Sequence, residues 1–298
     1  MLAFTECSGG LLGLIIANML PLRLAQKSIV LCADDYALND SVSQGIVALA
    51  KQARLSATSV MALSPLWQQH APALRELQGT IDVGLHLDWT SEFAQQAGWG
   101  HGLAAVMWRS LSGGLDATRV REAIEKQFDA FETVWQAPPD HVDGHQHIQQ
   151  FDGLREVLCE VLLRRYGQSK QKPWLRISQT HKAGFKGVLI SWMGANSLSD
   201  WANAQNWPFV SPLLGVYGFD GTMDDYAQRM QGWLADAAHL ETSALIMCHP
   251  ALQGEQGDAI GSARANEFAY LFSDEFLAHL NQAQVQLVRG GGSESKSL

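Results

Sequence analysis

The six residues Ser28 to Ala33, SIVLCA, run without a break into two acids, Asp34 and Asp35. A short, continuously apolar run of this kind reads as a buried strand, and the two carboxylates stand at its C-terminal end. The arrangement recurs along the chain. Ile81 to Leu87 (IDVGLHL) carries His86, His141 to Asp143 (HVD) leads into Gly144-His145-Gln146-His147, and Ala244 to Cys248 (ALIMC) leads into His249-Pro250. Ala57 to Ala62, Trp174 to Ile177 and Val285 to Val288 read as further strands. Between them, Ser41 to Arg54, Thr118 to Val134, Leu154 to Arg165 and Asp224 to Ala238 repeat apolar residues at helical spacing. Strands alternating with helices imply a parallel sheet, and the size and repetition favour an α/β fold of one domain over residues 25–289, a barrel or a barrel-like sheet. The aperiodic segment Glu92 to Gly114 reads as a long loop and a wall of a substrate site.

The 298 residues carry 21 Lys+Arg against 30 Asp+Glu, a formal charge of −9, which speaks against nucleic-acid binding. At 47% hydrophobic and 17% charged residues, the chain can bury a large core. Cys7, Cys32, Cys159 and Cys248 form no CxxC pair, which argues against a thiolate zinc site and fits a reducing cytoplasm. Leu11 to Leu20 is too short to span a bilayer, and the leader before it has no basic residue, so neither a transmembrane segment nor a signal peptide is expected. Residues 1–24 read as an N-terminal extension from an upstream start, with Met19 the natural one, and Gly290 to Leu298 as a flexible tail.

In a parallel barrel all strand C-termini open on one face, and that face holds the active site. Asp34, Asp35, His86, His145 and His249 would therefore converge from distant parts of the sequence. Taken singly, each has a plainer reading: an Asp after a strand caps a helix, and a strand-end His is a hydrogen-bonded structural residue. Taken together, they are hard to explain as caps. Two adjacent buried carboxylates are costly without a cation, and a divalent metal removes the difficulty.

These residues also resemble those of the YdjC-like (ChbG/HpnK-type) carbohydrate deacetylases. The resemblance rests on IVLCADDYAL (29–38), SATSVM (56–61), DVGLHLDWT (82–90), APPDHVDGHQH (137–147), LLGVYGFDGT (213–222), LIMCHPA (245–251) and the R-x-x-E of Arg264 and Glu267. It implies an irregular, TIM-like (β/α) barrel of the polysaccharide-deacetylase-like kind, with one divalent ion held by Asp35, His86 and His145, Asp34 as base and His249 as acid. Family practice suggests magnesium; the His₂Asp donor set by itself favours zinc. The expected reaction removes acetyl from an N-acetylated sugar, an N-acetylglucosamine-containing oligosaccharide or glycolipid, giving acetate and an amino sugar. The resemblance also admits a homodimer, although no interface signal is visible. Tyr36 and Ala37 depart from the family's usual pattern, as does Gln149 where a histidine is common.

Asp143 is the natural partner to orient a ligand histidine. His147 reads equally as a substrate contact or a packed residue. Trp67, Trp89, Trp99, Trp108, Trp192, Trp201 and Trp207 are mostly expected in the core, with Trp89 the best candidate to meet a sugar. Spacing alone makes Arg264 and Glu267 a surface i,i+3 pair, whereas the resemblance has them holding the site together. Cys248 beside His249 does not suggest a nucleophile pair, because neighbours on a strand face opposite ways. A glycosidase is disfavoured, since adjacent acids on one strand end do not flank a scissile bond. The alternative outside enzymes is a catalytically inactive sugar-binding or regulatory protein on the same barrel.

Overall fold

The computed structural model describes residues 26–180 and 193–291. The N-terminal extension, Trp192 and residues 292–298 of the expected tail lie outside them. The order is β1 (Lys27–Tyr36), α1 (Asp40–Lys51), β2 (Ala57–Val60), α2 (Trp67–Arg75), β3 (Asp82–Leu87), α3 (Glu92–Gln96), α4 (Leu103–Leu111), α5 (Ala117–Trp135) and β4 (His141–Gly144). A 3₁₀ turn (His145–Gln150) follows, then α6 (Leu154–Tyr166), β5 (Trp174–Arg176), α7 (Ala195–Ala204), β6 (Phe209–Val210), β7 (Leu213–Leu214), α8 (Met223–Ala238), β8 (Ala244–Cys248), α9 (Gly261–Phe272), α10 (Asp274–Ala283) and β9 (Val285–Leu287).

All pairings are parallel, in the order β6-β5-β4-β3-β2-β1-β8-β7, with β9 beside the start of β1. Only Ser211 and Pro212 separate β6 from β7, the two ends of that order, so the chain itself bends the sheet into a nearly closed barrel. The N–H of Leu213 donates to the Gln179 carbonyl (2.8 Å) at that junction.

Period-two alternation sorts the strand residues into two layers. Outward-facing Leu31, Ala33, Val83, Leu85, Val142 and Ile246 pack under the helices in the main core. Inward-facing Val30, Cys32, Ala57, Trp174, Leu245 and Met247 fill the lower part of the barrel. One step higher, the same inward rows carry Asp34, Ser59, His86, Asp143 and Arg176, all buried. The barrel is thus apolar below and ionic at the C-terminal end of its strands.

Four helices, α1, α5, α6 and α8, form where the apolar spacing put them, whereas α2, α7 and α10 were not foreseen. In α1, Val42, Gly45, Ile46, Leu49 and Ala50 are buried, and the Asn39 side chain accepts from the Val42 N–H to cap the first turn. Two expectations need correction. Glu92 to Gly114 is not a loop: it contains α3, capped by Ser91, and α4, each too short to display a period. β6 and β7 were not foreseen, because two residues carry no alternation. Gly290, expected in the flexible tail, is held against the barrel. The Gly290 N–H donates to Asp82 Oδ2 (2.7 Å), the Arg289 guanidinium pairs with Asp82, and the Trp174 indole donates to the same acid (3.0 Å), closing the floor of the barrel.

Gly84 marks a tight point of the barrel interior. A Cβ there would lie 2.4 Å from three atoms of the His141 ring, which is itself stacked on Trp174. Gly84→Ala should therefore destabilise the barrel by about 1–3 kcal/mol through overpacking, seen as a lower urea midpoint at an unchanged slope.

Candidate metal and catalytic site

Asp34 and Asp35 should face opposite sides of β1 by simple alternation. They do not, because the pairing of β1 with β2 slips between Ala33 and Tyr36, and Asp35 sits at φ +68. This bulge turns the second carboxylate toward the barrel mouth while Asp34 keeps its inward place. A left-handed conformation at a non-glycine residue is strained, and such strain concentrates at functional sites.

The turned carboxylate meets two imidazoles. Asp35 Oδ1 lies 3.0 Å from His145 Nδ1 and 3.5 Å from His86 Nε2, and one donor atom from each of these three residues lies within 4.8 Å of the others. Asp35 and His86 are buried, and His145 keeps a partly open edge at the mouth. Two of the three ligand candidates are held from behind. His86 Nδ1 bonds Asp143 Oδ1 (2.6 Å), which leaves Nε2 facing the cluster, and Arg264 Nη2 donates to Asp35 Oδ2 (2.8 Å). Two nitrogens and a carboxylate oxygen, oriented by second partners and open on one side, fit a divalent ion that keeps positions for water and substrate.

Beside this cluster lies a buried ionic network that spacing could not reveal. Arg176 Nη1 and Nη2 donate to Asp34 Oδ2 (2.7 Å) and Oδ1 (2.6 Å), and Nη2 also reaches Asp143 Oδ2 (2.7 Å). The Ser59 hydroxyl donates to Asp143 (2.6 Å) and lies 3.3 Å from Asp34. Burial is the largest influence and alone would raise the pKa of Asp34 and Asp143, but Arg176 and His86 together outweigh it and hold both carboxyls below the ordinary range. Burial likewise opposes ionisation of Asp35, yet Arg264 and His145 hold it well below that range. For His86, burial favours the neutral ring, but Asp143, Asp35 and Asp34 prevail and push it up to about 10.

His249 Nε2 is 3.8 Å from Asp34 Oδ2, and Phe219 stands edge-on to its ring. Burial keeps this imidazole neutral, pushed down to about 4 despite Asp34 and Asp35. The remaining expected residues have distinct places. His147 is buried against Ser178 Oγ (3.0 Å), lowered to about 3 by burial and the Arg176 charge, and lies outside the three-residue cluster. Gln149 donates to the Arg176 carbonyl (3.1 Å) and so serves the network from below. Trp89 is buried with its ring 6.4 Å from that of Trp99, so it offers no open face to a sugar. Arg264 and Glu267 are not a surface pair. Both are buried and each reaches a different part of the site.

The profile of the family described as "YdjC-like protein" matches residues 28–282. The chain belongs to this family. Proteins named chitooligosaccharide deacetylase from Yersinia pestis (strain Pestoides F) and Yersinia pseudotuberculosis (serotype O:1b, strain IP 31758) are each 25% identical over 232 residues, covering 76% of this chain and 82% of the relative. A crystal structure of an Enterococcus faecalis V583 protein, named for cellobiose-phosphate cleavage, superposes with a TM-score of 0.66 at 19% identity, covering 89% of this chain and 97% of that one. That likeness establishes the barrel as the shared fold.

Arg176 is the functional residue that sequence reading missed. Its only signal was a guanidinium inside the strand WLRI, one inward position above Trp174.

Metal binding should expose the network's order. Calorimetric titration of chelator-treated protein with Zn²⁺ should lose the binding event in His86→Ala and Asp35→Ala, and should weaken about 10–100-fold in Asp143→Asn. With His86 near 10, the ring is protonated at pH 8, whereas a ligand imidazole must be neutral. Titrations at that pH in buffers of different ionisation enthalpy should therefore report proton release on binding.

Proposed function

We propose that this chain is a metal-dependent hydrolase that removes the acetyl group from an N-acetylated sugar of the chitooligosaccharide class. The observation that carries the reading is Asp34, a carboxylate kept ionised by a two-pronged guanidinium beside a convergent Asp35–His86–His145 donor set. The Yersinia relatives' names support the substrate class, and membership of the YdjC-like family supports the chemistry. Zinc suits two imidazoles and a carboxylate; magnesium is the alternative suggested by the family resemblance. The three described cysteines are free and buried, in keeping with a reducing compartment such as the cytoplasm. No described helix is long and apolar enough to cross a membrane.

A divalent ion held by these three residues would polarise the acetyl carbonyl and acidify an attacking water. Asp34 accepts the water proton. Arg176 fixes both oxygens of that carboxylate, so the base arrives aimed and charged, with no reorientation at the moment of reaction. The sugar nitrogen then leaves with a proton, as the carbon–nitrogen bond breaks and the new carbon–oxygen bond completes acetate. His249 supplies that proton. Neutral at rest, its ring must first gain one, and the nearest carrier is Asp34, 3.8 Å from Nε2. The proton taken from water is thus handed along Asp34 and His249 to the amine. Asp143 has no part in this transfer and serves to orient His86.

The test is acetate release from chitobiose and chitotriose by metal-loaded protein. Asp34→Asn should lower kcat by about 10²–10⁴-fold while Zn²⁺ binding persists. Unchanged turnover in Asp34→Asn would remove it as the base. Tight binding of these sugars with no acetate released by the wild-type protein would favour a binding function instead.

A further inference from the structure

One turn of α9 sends two charged side chains to the site in different directions. Arg264 pairs with Asp35 (2.8 Å) and, through Nε, with Asp258 (2.7 Å). Glu267, three residues on, is fully buried and is used by neither the donor set nor the proton path. Its oxygens are taken by neutral donors. The His249 backbone N–H donates to Oε2, and the Tyr217 hydroxyl donates to Oε1 (2.6 Å). Burial pushes this carboxyl up to about 7, while the two donors and the Arg264 charge favour its charged form.

The donors belong to two separate segments that meet at one ring. His249 follows β8, and its imidazole stands beside Asp34. Tyr217 lies between β7 and α8, and two residues later Phe219 is held at φ +59 with its ring 5.0 Å from the His249 imidazole, edge to face. A bulky residue keeps a left-handed backbone only where its surroundings fix it. Glu267 therefore secures the main chain that carries the imidazole and, through Tyr217, the loop whose aromatic packs against that imidazole.

We propose that Glu267 is a positioning residue that aims the His249 ring at Asp34 by tying these two segments to α9. This rests on the assignment of His249 as proton donor in the deacetylation reading. The two residues of one helical turn then differ in emphasis: Arg264 holds the metal-ligand candidate Asp35 and reaches the His249 carbonyl only at 3.5 Å, whereas Glu267 takes the His249 N–H and the Tyr217 hydroxyl.

The experiment compares wild type, Glu267→Gln, Tyr217→Phe and Arg264→Lys by three readouts. These are Zn²⁺ affinity of chelator-treated protein, kcat and KM for acetate release from chitotriose, and the His249 ring resonances in the absence of substrate, assigned with His249→Gln. Glu267→Gln should lower kcat by about 10–100-fold, because small displacements of a reacting group cost that much, with KM and Zn²⁺ affinity within about twofold of wild type. Its His249 resonances should move. Tyr217→Phe should shift both readouts the same way by less, whereas Arg264→Lys should lose Zn²⁺ affinity. The proposal is overturned if Glu267→Gln leaves kcat and the His249 resonances unchanged, or if its Zn²⁺ affinity falls as far as its kcat. Should Glu267→Gln fail to fold, as judged by circular dichroism, Tyr217→Phe decides by the same two criteria. Should wild-type protein release no acetate, the deacetylation reading fails, while the resonance comparison still tests whether Glu267 aims the ring.

Discussion

A single guanidinium makes the upper barrel chemically habitable. Arg176 sits fully buried and is shared by Asp34 and Asp143, which would otherwise face each other at low dielectric with little water to separate them. Removing one partner from such a buried cluster typically costs about 3–5 kcal/mol, because it strands an uncompensated charge. What the cluster provides is a fixed charge pattern. One carboxylate of the pair has both oxygens on the guanidinium, and the other is left with an oxygen free to orient His86. Stability and chemistry therefore depend on the same three side chains.

The barrel supplies the geometry for this economy. Each inward row contributes one residue per layer, and the step from Trp174 to Arg176, or from His141 to Asp143, crosses from a packed floor to a polar chamber. Only Asp35 breaks the alternation, through the bulge in β1, and Arg264 meets the carboxylate that this break exposes. Helix α9 is thus the outer counterpart of β5, each presenting a guanidinium to one of two sequential aspartates.

Much of this was legible in the sequence, for identifiable reasons. Strand-end acids and histidines announce themselves because a polar group directly after an apolar run has few structural uses, and Asp34, Asp35, His86, His145 and His249 all fall in such places. Arg176 was invisible because burial and partnership are tertiary properties, and an arginine in a three-residue strand looks the same whether it faces water or the barrel axis. The same blindness made Arg264 and Glu267 look like a surface pair and left Trp89 a candidate sugar platform, when the first two are buried in the site and the last is buried beside Trp99. Short elements were lost for a different reason: α3, α4, β6 and β7 are stabilised by caps and neighbours rather than by a periodic face.

The pairing of β1 has a consequence for how the molecule comes into being. Its two late neighbours are β8, joined through Ile29 to Ala244 and Ala33 to Cys248, and β9, joined through Lys27 to Val285. Among the described strands, the first to be synthesised must wait for the last two before that edge is satisfied. Such distant closure slows folding and leaves an apolar edge exposed to other chains in the interval. Asp34 and Asp35 ride on that waiting strand, while His249 and Arg264 arrive with its late partners. A nascent chain consequently carries its acids for most of synthesis without the groups that give them a function, and catalytic competence is acquired in one late step, together with the closed ring.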